Sequence, residues 1–448
     1  MDISYIVGIL HLVFFGWMLY RNIKANNWIN LSNFTLLIWV VASISSIVFV
    51  YSDIRDYHNI GIIPAIFWCL LFYITMKPML QFSYDPDCGL LMNHSLLRML
   101  CIVFCIASIF PFIELLIQFI PALLSGGGPS GGDLAEAMAD LHDDRQEGEQ
   151  IEVVHFSILS LVCFKLINYS ILLPSFVFFA SMSELNTLFP NSRTRKYIIA
   201  GFIMLFLSLC MNSFLNAQRS MIARNLMTWI GAFVLFYSYY YDTIKKILIR
   251  SISIVGMCAV LGLAFITIAR FTVAQDRATA VHDRTIAGWV SLYLGEGLLN
   301  YNEYVWNMNC PTEGDVTMLY YKKLFGYDRI IDDYHRRNFW TGRTGIPQHI
   351  FYTHIGAFVE DFTPIGALLI LGIFSFCASN ILRQPRGVPI SWSKLYFLLI
   401  LFYIIANGYC YYAFGGLNKG FRLFRELLIC LFLALSVNNS RYSNQNYL

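Results

Sequence analysis

Arginines stand out by position in this chain. Arg219 and Arg224 lie in NAQRSMIARN, Arg270, Arg277 and Arg284 follow at seven-residue spacing, and Arg343 precedes two histidines. Arg422 and Arg425 open the last apolar run, with Glu426 beside them. A guanidinium is a planar, permanently charged fork that grips phosphate oxygens in pairs. Singly, such residues anchor helix ends, with stems in apolar surroundings and heads among lipid headgroups. As a set at helix ends they suit a lipid-linked diphosphate at a membrane face.

A second group suits sugars. Tyr293, Tyr301, Tyr304 and Trp306 pair an apolar face with a polar tip, and Asn300, Asn302, Glu296 and Glu303 lie among them. Rings of this kind stack on the C–H faces of a pyranose while amides and carboxylates bond its hydroxyls. They equally suit an interfacial belt or a small loop core. His349 and His354, in RTGIPQHIFYTHIGAFVEDF, are candidates for a general base near neutral pH. Glu360 and Asp361 follow where the chain enters apolar sequence, and carboxylates there are costly unless paired or used. Glu114 and Lys165 also interrupt apolar runs and are expected to pair with each other. No HExxH or DxD occurs, so no metal or other cofactor is indicated. The glycines of SGGGPSGG lack the Lys-Ser/Thr of a phosphate-binding loop.

The elements that position these groups must be membrane helices. Of 448 residues 57% are hydrophobic and 13% charged, against roughly 25% charged in soluble domains, so the bilayer is the solvent. The chain reads as all-α and polytopic, with about 11 spans (10–12): Ile3–Tyr20, Ile29–Tyr51, Ile60–Met76, Met99–Leu123, Phe156–Met182, Tyr197–Leu215, Met221–Tyr240, Ser251–Ile268, His354–Phe374, Lys394–Phe414 and Leu423–Val437. Every second connection is basic, carrying Arg21 and Lys24, then Lys77 and Arg98, then Arg193, Arg195 and Lys196, then Lys245, Lys246 and Arg250, then Arg383 and Arg386. The positive-inside rule makes these cytoplasmic and the start of the chain external. Residues 1–270 then hold helices 1–8 with an outer Gly-rich acidic loop at 124–153. Residues 271–352 form one large outer loop with short surface helices, and 353–448 hold helices 9–11 and a cytoplasmic tail. The start, MDISYIVGIL, lacks a charged leader region and reads as a retained first helix. Most of the 11 cysteines lie in or beside apolar runs, without CxxC spacing, and read as small hydrophobes. The net charge of +3 gives no reason to expect nucleic acid as a partner.

Four features together resemble the Wzy-type oligosaccharide repeat-unit polymerases of O-antigen and capsule synthesis. They are the many spans with one late outer loop, NAQRS at 216–220, YLGEGLLNYNEY at 293–304, and FYTHIGAFVEDFTPIGALL at 351–369. The resemblance implies a GT-C-like, metal-independent glycosyltransferase in the bacterial inner membrane, its large loop periplasmic. Such an enzyme joins undecaprenyl-diphosphate-linked repeat units, with a chain-length regulator as a possible protein partner. Diphosphate is the leaving group, and Arg219 with Arg277 or Arg284 is the expected clasp. Related ligases place His-Asn at the end of the large loop, whereas Ile350 follows His349 here, and neither His349 nor His354 keeps the register relative to Gly366. Glu296, Glu360 and Asp361 therefore stay open beside the histidines as the base. Thr363-Pro364 stands where the family commonly shows Gly. An O-antigen ligase and a lipid-linked oligosaccharide flippase are the alternative readings; the flippase is disfavoured by the absence of an internal repeat. A multi-span acyltransferase is a third, with His94 its only candidate residue.

Overall fold

A computed structural model describes residues 3–26, 28–52, 55–124, 154–216, 219–253, 256–257, 286–327, 333–347 and 350–445. The chain forms two compact units, Met1–Leu91 with Arg284–Leu435 and Met92–Asp283 with Ser436–Leu448. The described residues are almost wholly helical. In hydrocarbon the backbone must satisfy its own polar groups, and a helix does so within one segment. Seven helices among the described residues are long and apolar enough to cross a membrane. In the first unit these are α1 (Ile3–Ala25), α2 (Leu31–Tyr51), α3 (Ile62–Gln81) and the late helix His354–Leu382. In the second they belong to α4 (His94–Leu124), α8 (Ser192–Leu215) and α9 (Arg219–Phe236).

Between α4 and α8 lie α5 (Ile158–Ile167), α6 (Leu173–Ser183) and α7 (Leu185–Leu188). The single span expected at Phe156–Met182 is therefore two helices. Ser170 Oγ accepts from the N–H groups of Leu172 and Leu173, 3.2 and 2.9 Å away, and Pro174 occupies the first turn of α6. That is a helix start written into the sequence. Glu114 does not pair with Lys165. Its carboxylate accepts from the N–H of Ser157 at 2.9 Å and from the Ser157 hydroxyl at 2.5 Å, tying α4 to the cap of α5. α4 and α8 approach closely because Gly201 has no side chain; a Cβ there would lie 2.7 Å from Cys105 Sγ. Ser108 Oγ seals the contact by bonding the Gly201 carbonyl at 2.9 Å.

The first unit continues with α10 (Ile286–Asn300), α11 (Leu319–Leu324), α12 (Asp333–Thr344), α13 (His354–Leu382), α14 (Trp392–Ala406) and, as far as Leu435, α15 (Leu417–Gln445). The expected eleventh span lies inside α15, the tenth overlaps the shorter α14, and the eighth, Ser251–Ile268, falls mostly outside the described residues. Asn30 caps α2 through the N–H of Asn33 at 2.7 Å, and Asn22 Nδ2 bonds Asn33 Oδ1 at 2.7 Å, so α1 and α2 are pinned at this end. Phe15, Trp39, Trp68 and Phe72 interlock at ring-centroid distances of 4.9–5.8 Å. Their indoles have partners, as buried Trp N–H groups require. Trp39 Nε1 bonds the Ile405 carbonyl at 3.0 Å, and Trp68 Nε1 bonds Thr353 Oγ1 at 2.8 Å.

α10 departs from the surface helix expected at the start of the large loop. It packs along α2 so closely that a Cβ on Gly295 would lie 2.3 Å from the Ser46 nitrogen. Burial of Leu298, Leu299 and Asn300 follows from that contact. α13 is broken at Thr363, whose φ of 64° and ψ of 167° are non-helical, and Pro364 begins its second part. The nine residues before the break are nearly all buried, while Ile365, Leu369, Ile373 and Phe376 after it are exposed, as a lipid-facing stripe would be.

Candidate functional site

The candidate site lies in the first unit, where the end of α10 meets the 55–61 connection and the residues entering α13. α10 ends in a wider π turn, Tyr301–Val305, which turns consecutive side chains toward the connection. Asn302 grips Gly61 on both sides, accepting from its N–H at 2.8 Å and donating to its carbonyl at 2.7 Å. Glu303 accepts from the N–H groups of His58 and Asn59, at 3.1 and 2.7 Å, and from Asn59 Nδ2 at 3.2 Å. Charge-assisted bonds of this kind contribute about 1.5–3 kcal/mol each. The connection is thereby held firmly against α10.

That clamp places Arg55 and Tyr57 over Asn300 and Glu296. Asn300 Oδ1 accepts from Arg55 Nη1 at 3.0 Å and from Tyr57 Oη at 3.1 Å, while its Nδ2 donates to the Phe351 carbonyl at 2.7 Å. Burial pushes the Tyr57 phenol well above its ordinary range, against the pull of Arg55, so it stays a donor. Glu296 Oε1 accepts from the N–H of Phe351 at 3.1 Å. Its Oε2 lies 3.3 Å from Arg55 Nη1 and makes no hydrogen bond among the described residues. The Glu296 side chain is 2% exposed and that of Arg55 28%, so a buried carboxylate with a spare lone pair sits behind a cation that reaches water. A buried carboxylate costs several kcal/mol unless compensated, and here the compensation comes from the Phe351 N–H, the Arg55 charge and the Asn300 side chain.

Aromatic rings pack in pairs along the same stretch of chain. Tyr293 packs against Phe351 at 5.7 Å between centroids, Tyr301 against Trp306 at 6.5 Å, and Trp306 against Phe67 at 5.5 Å. Tyr304 is half-buried and within electrostatic reach of Tyr57. The structure thus gathers Glu296, Asn300, Tyr293, Tyr301, Tyr304 and Trp306 around one end of α10. It assigns Asn300 to internal bonding rather than leaving its amide open.

The other predicted site residues fare differently. Asp361 is saturated: its carboxylate accepts from the Val316 N–H at 3.0 Å, the Thr317 N–H at 2.6 Å, the Thr317 hydroxyl at 2.5 Å and the Thr312 hydroxyl. With 1% exposure it anchors the 312–317 turn onto α13. His354 is fully buried between Trp39 and Phe72, with Nδ1 3.3 Å from the Gly408 carbonyl. Close packing requires Gly at 408, where a Cβ would lie 2.1 Å from that nitrogen. Glu360 is buried beside Tyr352, whose phenol is raised by burial and then by Glu360 itself, with Arg336 opposing. Arg336 donates to the Asp315 carbonyl at 2.7 Å, Trp340 Nε1 to the Asp315 carboxylate at 2.9 Å, and Lys322 pairs with the same carboxylate. This is a small polar core that ties residues 315–340 together.

His349, Arg270, Arg277 and Arg284 lie outside the described residues, and Arg219 opens α9 without a described side chain. Arg224 Nη2 contacts Met221 Sδ at 2.8 Å, and Arg343 lies 3.8 Å over the Phe339 ring and is exposed. Arg422 is partly buried in the first turns of α15. The arginine against Glu296 is Arg55, which sequence reasoning passed over. The signal was present: Arg55 belongs to a connection placed outside by the positive-inside rule, where a cation needs a use. No known protein family, curated protein or solved structure matches the chain.

Proposed function

We propose that this membrane protein is a metal-independent glycosyltransferase that extends a glycan carried on undecaprenyl diphosphate, joining repeat units at the outer face of a bacterial inner membrane. The observation that carries the reading is Glu296, a buried carboxylate with an oxygen that makes no hydrogen bond, beside the half-buried Arg55 and bonded by the backbone of Phe351, whose ring packs on Tyr293. Glu296 takes the proton of the acceptor sugar hydroxyl as that oxygen bonds to the anomeric carbon of the donor glycan. The bond from that carbon to the diphosphate oxygen breaks, and the electron pair leaves with the carrier. Arg55 meets the developing charge on the diphosphate, the kind of electrostatic stabilisation that is largest where water is excluded. Tyr293, Tyr304 and Trp306 offer ring faces to the sugars. Asp361 and His354 serve the framework in this reading, and Arg219, Arg277 and Arg284 remain carrier contacts to be tested by substitution.

The test is a polymerisation assay with purified protein and a synthetic lipid-linked repeat unit, read by glycan gel. Glu296→Gln keeps the shape and the Phe351 bond and is expected to lower turnover at least about 100-fold, the usual contribution of a positioned base. Wild-type ladders from Glu296→Gln at equal protein level refute the assignment. Transfer of preformed polymer to a lipid-core acceptor, without chain extension, indicates a ligase instead.

A further inference from the structure

The second unit contains a cavity that the proposed reaction does not use. It is a groove of about 170 Å³ lined almost entirely by hydrocarbon, with Phe179, Ile203, Phe206, Trp229, Ile247 and Leu248 among its walls. Its walls come from α6, α7, α8, α9 and the helical stretch 242–253. Along α8 it runs from Ile199 to Leu207, roughly 12 Å at 1.5 Å per residue. That is close to one leaflet of a hydrocarbon core about 30 Å thick. Ile203, Leu207 and Ile247 are exposed at its rim, so it opens sideways, where lipid tails are.

The helices that wall the groove carry cations. Arg193, Arg195 and Lys196 open α8 one turn before Ile199, and Lys245, Lys246 and Arg250 share a helix with Ile244, Ile247 and Leu248. Arg193, Lys196, Lys246 and Arg250 are exposed. Arg195 bonds Asn186, and Lys245 lies 3.7 Å from the Asp242 carboxylate and over the Tyr237 ring. Against these six cations the acidic groups on the same wall elements are Asp242 and Glu184. A hydrocarbon slot one leaflet deep with a cationic rim is complementary to an anionic phospholipid, with its tail in the slot and its phosphate among the lysines and arginines. We infer that this groove is a binding site for an anionic glycerophospholipid of the cytoplasmic leaflet, separate from the proposed reaction site. The positive-inside assignment of these two connections puts the rim on that side.

Trp229 provides the probe, since it lines the groove and packs on Phe178 and Phe206 at 5.4 and 5.0 Å. The full-length protein is placed in phosphatidylcholine nanodiscs with increasing phosphatidylglycerol brominated along its acyl chains, and tryptophan fluorescence is followed. Brominated phosphatidylglycerol is expected to quench at a mole fraction at least about threefold below that of brominated phosphatidylcholine, as attraction by only a few partly screened cations gives. Trp229→Phe removes the difference. The combined exposed substitutions Lys196→Gln, Lys246→Gln and Arg250→Gln bring the two curves together. Coincident curves in the unaltered protein, or a difference that survives Trp229→Phe, overturn the site. Release of quenching by equimolar undecaprenyl phosphate, but not by unbrominated phosphatidylglycerol, overturns the phospholipid as occupant.

Discussion

Replacing Arg55 by Met isolates the central pair. Glu296 Oε2 sits 3.3 Å from Arg55 Nη1, and its side chain is 2% exposed. At an effective dielectric of about 20 the attraction at this distance is roughly 5 kcal/mol before desolvation is counted. Removing one partner of a buried pair costs about 3–5 kcal/mol, because the other charge stays buried. Arg55 keeps 28% exposure, and Asn300 Oδ1 keeps its bond from Tyr57, so the loss belongs at the lower end, about 3 kcal/mol. Glu296→Gln removes the charge but leaves an oxygen for the Phe351 N–H, and costs about 1 kcal/mol. In the double variant no buried charge remains, so Arg55→Met adds little once Glu296 is Gln. A coupling of about 3 kcal/mol results. Reversible unfolding of all four proteins in mixed micelles, titrated with a denaturing detergent, measures it. A coupling within about 0.5 kcal/mol of zero refutes the pairing and with it the picture of Arg55 compensating a buried charge. Turnover then separates structure from chemistry: the double variant recovers stability relative to Arg55→Met and stays inactive.

Asp361→Asn puts an NH2 group against either the two Thr317 donors or the Val316 N–H and the Thr312 hydroxyl, so stability falls by about 2–3 kcal/mol, and activity falls only in proportion to the folded protein recovered, measured as specific activity per folded molecule. Thr363→Gly relieves a positive-φ strain of about 1–3 kcal/mol, partly offset by glycine entropy, and raises the thermal midpoint slightly; a lower midpoint shows that the hydroxyl or the strain is used. Gly295→Ala forces α10 away from the α2 backbone and reduces membrane-inserted protein, whereas Gly342→Ala, with open space around it, leaves the level unchanged on a blot. Arg219→Ala and Arg284→Ala are expected to abolish long glycans while preserving single repeats and protein level, and full ladders from both remove these arginines from carrier binding.

Seven of the expected spans were legible because lipid exposure demands long apolar segments. The break at 168–172 was legible too, since Ser170 and Pro174 spell a helix start, but a continuous apolar run outvoted them. Charge in an apolar run marked Asp361 as costly, correctly, without saying how the cost is met. The answer lies in Thr312, Val316 and Thr317, more than 40 residues upstream, where no periodicity points. Thr363 was noted only as a departure from the resembled pattern, and what the sequence did not express is its backbone conformation, one that Gly adopts without strain. The polar residues near the aromatics show where sequence reading stops. Asn300, Asn302 and Glu303 were expected to meet sugar hydroxyls, and they spend their bonds on the 55–61 connection and Phe351. Glu296 has the same polar character and differs only in an oxygen left without a hydrogen bond beside a cation 241 residues away in sequence. Composition and spacing cannot express that difference, because it is a property of which bonds remain unmade once the chain has folded.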